Sequence, residues 1–235
     1  MAKPLVRLQN DATATGDSKI TSRNSGGSNT VAMANSDSAK QPLHKTMGTN
    51  AKLSNVASST SFDGSDYFDL ASAIEFSSSD TWVWVFSFVD MDTTTDCILA
   101  YSSDNGGYIG VEAGGNGILW RNNSSRASET TIATNNTDNS SISYSFGTDV
   151  EVLIVTSAAG NNLINFYNID GALIATNGAA AGACTTWNLD RIGANSSTST
   201  EFVGEILAAD FYTDIDIPSA SEIVAIGNNY KNLKN

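Results

Sequence analysis

Alternating apolar and polar residues predict short β-strands along most of the chain from Ser59 onwards. The strongest strand signal is the run Thr81–Val89, TWVWVFSFV. With the two-residue period of a strand, its aromatic side chains share one face and its valines share the other. A strand that is apolar on both faces is expected in the middle of a sheet that is covered on both sides. The two sets are Trp82, Trp84, Phe86 and Phe88, and Val83, Val85 and Val89.

Shorter apolar runs follow at the spacing of a β-sandwich, and turn residues rich in Gly, Asn and Asp separate them. Asp170-Gly171, between two of these runs, is a hairpin signal. The predicted fold class is therefore all-β and antiparallel. The predicted strands are two around the Asp63-Gly64 turn within Ser61–Leu70, then Cys97–Tyr101, Tyr108–Glu112, Ile118–Arg121, Val150–Thr156, Leu163–Ile169, Ala172–Ala175 and Phe202–Tyr212.

One short helix is predicted near the C-terminus, over Pro218–Ile226. It opens with Pro, Ser and Glu, the residue types that start helices. The apolar residues Ile223, Ile226 and Tyr230 would share one face of it.

Residues 1–58 lack a core pattern and are predicted to form an extended N-terminal arm before a body of residues 59–235. Residues 1–60 hold seven Lys/Arg and three Asp, a net charge of +4, which leaves −17 for the rest of a chain of net charge −13. A basic arm on an acidic body indicates docking on another molecule or on the body itself. If the arm docks on another molecule, its partner contacts are expected at Lys3, Arg7, Lys19 and Arg23.

Composition narrows the protein class further. The two cysteines, Cys97 and Cys184, are too few for a disulfide framework. Cys97 begins an apolar run and is interpreted as a buried free thiol, although a disulfide bond to Cys184 stays open.

The N-terminus lacks the apolar stretch of a signal peptide, and no segment approaches the length of a membrane span. We therefore expect a soluble protein that folds in a cytoplasm and binds no membrane.

Catalytic residues are scarce, which predicts that the protein is not an enzyme. The single histidine, His44, lies in the predicted arm, so the body has no nucleophile–histidine pair and no zinc set. A glycoside hydrolase needs two carboxylates beside the scissile bond. Glu205 and Asp210 are five residues apart on the last strand, so a regular strand would place them on opposite faces. Asp214 and Asp216 are two residues apart but lie in a turn, so they do not form such a pair either.

An acidic body also disfavours the binding of nucleic acid.

Three stretches resemble the concanavalin A-like/laminin-G-like jelly-roll superfamily. They are Gln41-Pro42 leading to the Phe62-Asp63-Gly64-Ser65 turn, the aromatic strand Trp82–Phe88, and the closing run Phe202–Tyr212 followed by Ser219–Ile226 and Tyr230. The resemblance implies a jelly-roll β-sandwich over residues 59–235. Such domains include carbohydrate binders, glycan hydrolases, adhesion modules and stand-alone domains on bacteriophage virions.

The resemblance also suggests ligands. Related domains often hold calcium with loop Asp and Asn oxygens, although these residues also simply make turns. Four aromatic residues near turns are candidates for stacking on sugar rings, with a place in the core as the alternative. The calcium candidates are Asp63 with Asp66, Asp90 with Asp92 and Asp96, and Asp104 with Asn105, and the aromatic candidates are Tyr101, Tyr108, Trp120 and Trp187.

Three functions remain open from the sequence. The first is a non-enzymatic virion structural protein, a bacteriophage capsid decoration protein. It would fold in the host cytoplasm, and its arm would dock on neighbouring subunits such as the major capsid protein, in a homo-oligomer or symmetric assembly. The alternative is a receptor-binding or lectin-like module that recognises host surface glycans. A glycan hydrolase is the least favoured of the three.

Overall fold

The structure is a computed structural model of the 235-residue chain. It describes residues 6–9, 18–19, 22–24, 32–34, 37–46, 58–77, 79–89, 97–102, 107–111, 118–121, 129–131, 150–159, 164–177, 187–194, 202–213 and 215–234.

Strands dominate the described residues, with one α-helix, α1 (Ala220–Lys231), and two short 3₁₀ turns, Ser38–Lys40 and Asn232–Lys234. The strands are β1 (Val6–Gln9), β2 (Ser18–Lys19), β3 (Ser22–Asn24), β4 (Ala32–Ala34), β5 (Leu43–Thr46), β6 (Ser58–Asp63), β7 (Phe68–Phe76), β8 (Trp82–Val89), β9 (Cys97–Ser102), β10 (Gly107–Val111), β11 (Ile118–Arg121), β12 (Glu129–Thr131), β13 (Glu151–Ser157), β14 (Ile164–Tyr167), β15 (Leu173–Asn177), β16 (Trp187–Ile192) and β17 (Val203–Thr213).

The described strands form two sheets, and every pairing is antiparallel. The first sheet runs in the order β15-β14-β13-β8-β17-β6-β5-β2, with β1 also paired to β17. The second sheet runs in the order β12-β11-β10-β9-β16-β7-β4-β3. The fold is the predicted jelly-roll β-sandwich with one short C-terminal helix.

The aromatic face of β8 fills the space between the sheets, as predicted. Trp84 is completely buried, and its ring lies 4.5 Å from that of Trp82 and 4.7 Å from that of Trp187, measured between centroids. Phe76 and Phe211 meet Trp84 edge-on. Aromatic rings that contact each other in this way stabilise a core beyond the area they bury.

Helix α1 explains why the other face of β8 is apolar too. Ile223, Ile226 and Tyr230 of the helix form one buried cluster with Val83 and Val85. The prediction that these three residues share a face of the helix is confirmed. The helix therefore packs on the outer face of the first sheet over β8, β13 and β17.

The start of α1 and the hairpin beneath it follow from local sequence. Ser219 caps the helix in a reciprocal capping box with Glu222. The predicted hairpin joins β14 to β15 through a turn in which Gly171 has φ +74° and the Asn168 side chain accepts two backbone N–H groups. The backbone of Ile169 in this turn lies directly against Gly227 of the helix.

The described part of residues 1–46 differs from a separate arm. β2 and β5 extend the first sheet beyond β6, β3 and β4 extend the second beyond β7, and β1 pairs with β17. Met33 of β4 is fully buried in the core. Backbone hydrogen bonds need no apolar side-chain pattern, so such edge strands escape a periodicity search. The division of the chain at residue 58 stays a prediction.

Beyond the strands of residues 6–46, two further described strands were not predicted. β16 alternates inward Trp187 and Leu189 with polar residues, but its regular pairing with β7 breaks between Leu189 and Arg191. β12 is three residues long and contains no apolar residue. Short or irregular strands give too little periodic signal to detect from sequence.

Candidate functional site on the outer face of the second sheet

The outer face of the second sheet carries a transverse row of polar and aromatic residues. The backbone register sets Tyr108 opposite Tyr101, Tyr101 opposite Arg191, and Arg191 opposite Asp69. Residues directly opposite one another in an antiparallel pair share a face. Among the described residues no helix covers this face, whereas α1 covers the outer face of the first sheet. Accessibility differs along the row, since Asp69 is exposed and Arg191 is intermediate, whereas Tyr101 and Tyr108 are buried.

Two side chains at one end of the row, Asp69 and Arg191, form a compact unit with Tyr67, which precedes β7. We call this unit the Arg191 cluster. Arg191 Nε lies 2.7 Å from Asp69 Oδ1 in a hydrogen-bonded ion pair. The Arg191 guanidinium carbon lies 4.2 Å from the centroid of the Tyr67 ring, within range of a cation–π contact. The Asp69 side chain is 50% exposed and that of Arg191 is 19% exposed. The cluster thus presents a carboxylate to solvent over a largely buried guanidinium.

An irregularity in β16 turns Arg191 to the outer face. Leu189 and Ile192 both point into the core, although a regular strand would put residues three apart on opposite faces. The pairing with β7 is shifted between Leu189 and Arg191, and this shift provides the change of face. Bulges of this kind commonly re-aim a side chain at functional sites.

Sequence reasoning missed the Arg191 cluster. Arg191 and Asp69 are 122 residues apart in the chain, so only the strand register brings them together. The alternation of Trp187, Leu189 and polar neighbours was an available signal for β16. The irregularity that follows it was not visible in the sequence.

The predicted sugar-stacking aromatics divide between two places. Trp120 and Trp187 are buried in the core, which confirms the alternative interpretation for them. Tyr101 and Tyr108 lie on the outer face with Ile98, but they are only 6% and 7% exposed. Their rings therefore support the floor of the row, and Tyr67 is the more accessible aromatic side chain.

The expectation that Glu205 and Asp210 point to opposite faces is wrong. The pairing of β17 with β8 shifts between Ile206 and Ala208. This bulge adds one residue, so Glu205 and Asp210 both lie on the outer face of the first sheet. They still cannot flank a substrate, because Asp210 is completely buried and accepts a hydrogen bond from the hydroxyl of Tyr230.

Asp210 belongs to a buried polar network beneath α1. Tyr230 donates to Asp210, and its hydroxyl lies 3.2 Å from that of Tyr212. The Ser87 hydroxyl donates to the Tyr230 carbonyl at 3.3 Å. Burial, and next the charge of Asp210, raise the pKa of Tyr230 well above its usual range, so its hydroxyl stays a donor. The network fixes the helix to the sheet and has no solvent-exposed reactive group.

The calcium candidates gain little from the structure. Asp63 Oδ1 accepts from the backbone N–H and the hydroxyl of Ser65, and Asp66 Oδ2 accepts from the Asp63 N–H. These carboxylates therefore shape the turn between β6 and β7. Within the described ranges, no three His, Cys, Asp or Glu side chains group as metal ligands. The other candidates, residues 90, 92, 96, 104 and 105, lie outside the described residues.

The expected partner contacts lie on strands of the sandwich where they are described. Arg7 pairs with Asp210, Lys19 with Leu43 and Arg23 with Met33 in the backbone register. Lys3 lies outside the described residues. A docking role for these basic residues stays a prediction.

His44, Cys97 and Cys184 complete the sequence candidates. His44 lies on β5, opposite Thr60 of β6, and so belongs to the first sheet and not to a detached arm. Cys97 begins β9, and Cys184 lies outside the described residues, so their pairing stays open.

In the part of the chain that the structure describes, no helix is both long and apolar enough to cross a membrane.

Comparison with known proteins yields matches in structure alone. No protein-family model matches the sequence, and no curated protein matches it. The CBM40 domain of a Ruminococcus gnavus sialidase, bound to alpha2,3 sialyllactose, is 14% identical, with a TM-score of 0.46 over 66% of this chain and 96% of that one. A heptameric SAP-like pentraxin from Limulus polyphemus is 11% identical, with a TM-score of 0.48 over 71% of this chain and 80% of that one.

A toxin domain is similar at the same level. The binding domain of botulinum neurotoxin DC, in complex with rat synaptotagmin II, is 12% identical, with a TM-score of 0.47 over 90% of this chain and 51% of that one. The chain therefore spans about half the length of the toxin domain. At these identities and TM-scores, the likenesses carry no conclusion about the ligand or the partners of this chain.

Proposed function

We propose that this protein is a non-catalytic glycan-binding module that holds its ligand at the Arg191 cluster. The observation that supports the proposal is the half-exposed Asp69 carboxylate, which is paired with Arg191. The Arg191 guanidinium in turn lies over the ring of Tyr67. Sugar sites typically combine a flat aromatic surface with a few fixed polar groups that orient the ligand. The cluster offers both, from β7, β16 and the residue that precedes β7.

The chemistry of the cluster suits hydroxyl groups. A sugar hydroxyl both donates and accepts hydrogen bonds, and the cluster sets an acceptor-only carboxylate beside a donor-only guanidinium. The ion pair and the ring contact hold all three side chains before a ligand arrives. Such preorganisation lowers the entropic cost of binding.

The capsid decoration role, which is the first expectation from the sequence, has less support than glycan binding. It depended on an arm that docks on other subunits, and the described strands of residues 6–46 pair within the sandwich of their own chain. A virion location and partners such as a major capsid protein stay predictions. A glycan-binding module on a virion would be compatible with both functions.

A glycan array tests the proposed function. We expect the wild-type protein to bind a defined set of oligosaccharides, and Arg191→Ala to weaken this binding by about tenfold or more, as for the loss of a charge-assisted contact. Lys231→Ala is the matched control, because it removes an exposed cation at the opposite side of the sandwich, 3.9 Å from Asp170. Equal binding by wild type and Arg191→Ala would contradict the site, and binding to no glycan would contradict the function.

A further inference from the structure

We infer that the Arg191 cluster selects neutral saccharides over those that carry a carboxylate. The inference rests on the proposed glycan-binding function and specifies its substrate class. It follows from the pairing of charges within the cluster, from the charges around it and from the charge of the whole chain.

The guanidinium that would attract an acidic sugar is already neutralised. Arg191 Nε lies 2.7 Å from Asp69 Oδ1, and the positive charge also faces the Tyr67 ring at 4.2 Å. The cluster therefore has no net charge. Because Asp69 is the more exposed partner, at 50% against 19% for Arg191, a ligand meets the carboxylate first.

A ligand carboxylate would face unfavourable chemistry at this position. Carboxylates only accept hydrogen bonds, so two of them at contact distance repel and cannot bond to each other. A sugar hydroxyl, in contrast, donates to Asp69 without a change of protonation. The hydrogen-bonding pattern thus favours neutral rings.

The surroundings are acidic as well. Asp190 is half-buried next to Arg191 in β16, and Glu75 of β7 is exposed opposite Asn188. The whole chain carries a net charge of −13. A potential of this sign lowers the association rate of anionic ligands, and salt screens the effect.

The test is an array that presents each neutral oligosaccharide beside the same oligosaccharide capped with one sialic or uronic acid. For the wild-type protein at low salt we expect the neutral member to bind about tenfold tighter, with a smaller ratio at high salt. Tighter or equal binding of the capped members would overturn the inference and leave the proposed function intact. Absence of binding to both members would instead contradict the proposed function on which the inference rests.

Asp69→Asn provides the decisive variant. The amide oxygen can still accept from Arg191 Nε, but the guanidinium charge is no longer neutralised, so the preference for neutral members should shrink or reverse. Asp170→Asn is the matched control, since it removes a carboxylate from an ion pair of 3.9 Å on the helix side of the sandwich and should leave the ratio unchanged. An unchanged ratio in Asp69→Asn would also overturn the inference.

Discussion

At the residue scale, the contrast between two aspartates distinguishes stability from binding. Asp210 is completely buried and satisfied by Tyr230, whereas Asp69 is half-exposed and held by Arg191. A buried carboxylate that has lost its donor is costly, while an exposed one can turn to water. Asp210 therefore serves the attachment of the helix, whereas the ligand contact belongs to Asp69 in the proposed function.

Tyr230→Phe tests the role of the buried network. The change removes the hydroxyl that donates to Asp210 and contacts Tyr212, so we expect a loss of about 1–3 kcal/mol in the free energy of unfolding. Tyr167→Phe is the control, because it removes a hydroxyl from a half-buried tyrosine of β14 that packs against the same cluster outside the network, and it should change stability little. Urea denaturation measures both. Equal stability of Tyr230→Phe and wild type would mean that the network does not hold the helix.

At the element scale, helix α1 shows how far sequence reasoning reaches. The helix-start residues and the spacing of Ile223, Ile226 and Tyr230 predict the helix and its buried face, and both are confirmed. The apolar valines of β8 predict that something covers them. The sequence could not show that α1 is that cover, because the contact joins segments far apart in the chain. The same limit hid the pairing of Asp69 with Arg191.

Gly227→Ala tests how closely the helix docks. A Cβ atom at this position would lie 2.2 Å from the carbonyl oxygen of Ile169, so the helix must shift away from the β14–β15 turn. We expect a loss of about 1–3 kcal/mol, as for overpacking, despite the better helix propensity of Ala. Asn229→Ala on the exposed side of α1 serves as control and should be neutral or slightly stabilising. A Gly227→Ala protein as stable as wild type would contradict the close docking.

At the scale of the whole molecule, fold and site differ in how well the sequence predicts them. The strand periodicity of Trp82–Val89 and the turn at Asp170-Gly171 suffice for an antiparallel sandwich. Bulges change the outcome locally, since one in β17 puts Glu205 and Asp210 on the same face and an irregularity in β16 turns Arg191 to the outer face. A single inserted residue leaves no mark in an average over a strand, so the site depends on details that periodicity cannot resolve.

Removal of residues 1–46 tests whether the first strands belong to the sandwich. The deletion takes Met33 out of the core and leaves β6 and β7 as uncovered edges. We expect a clearly lower unfolding temperature and a tendency to aggregate. Deletion of residues 1–5 alone, which precede β1, is the control and should preserve the unfolding temperature. A truncated protein that unfolds at the wild-type temperature would support the independent arm that the sequence suggests.

The central claim is that the outer face of the second sheet binds a glycan at the Arg191 cluster. A crystal structure of the protein with the tightest-binding oligosaccharide of the array tests it most directly. The account predicts a sugar ring against Tyr67, with hydroxyl groups in hydrogen-bonding contact with Asp69 and Arg191. A glycan bound elsewhere on the sandwich, with the Arg191 cluster in contact with solvent alone, would contradict it.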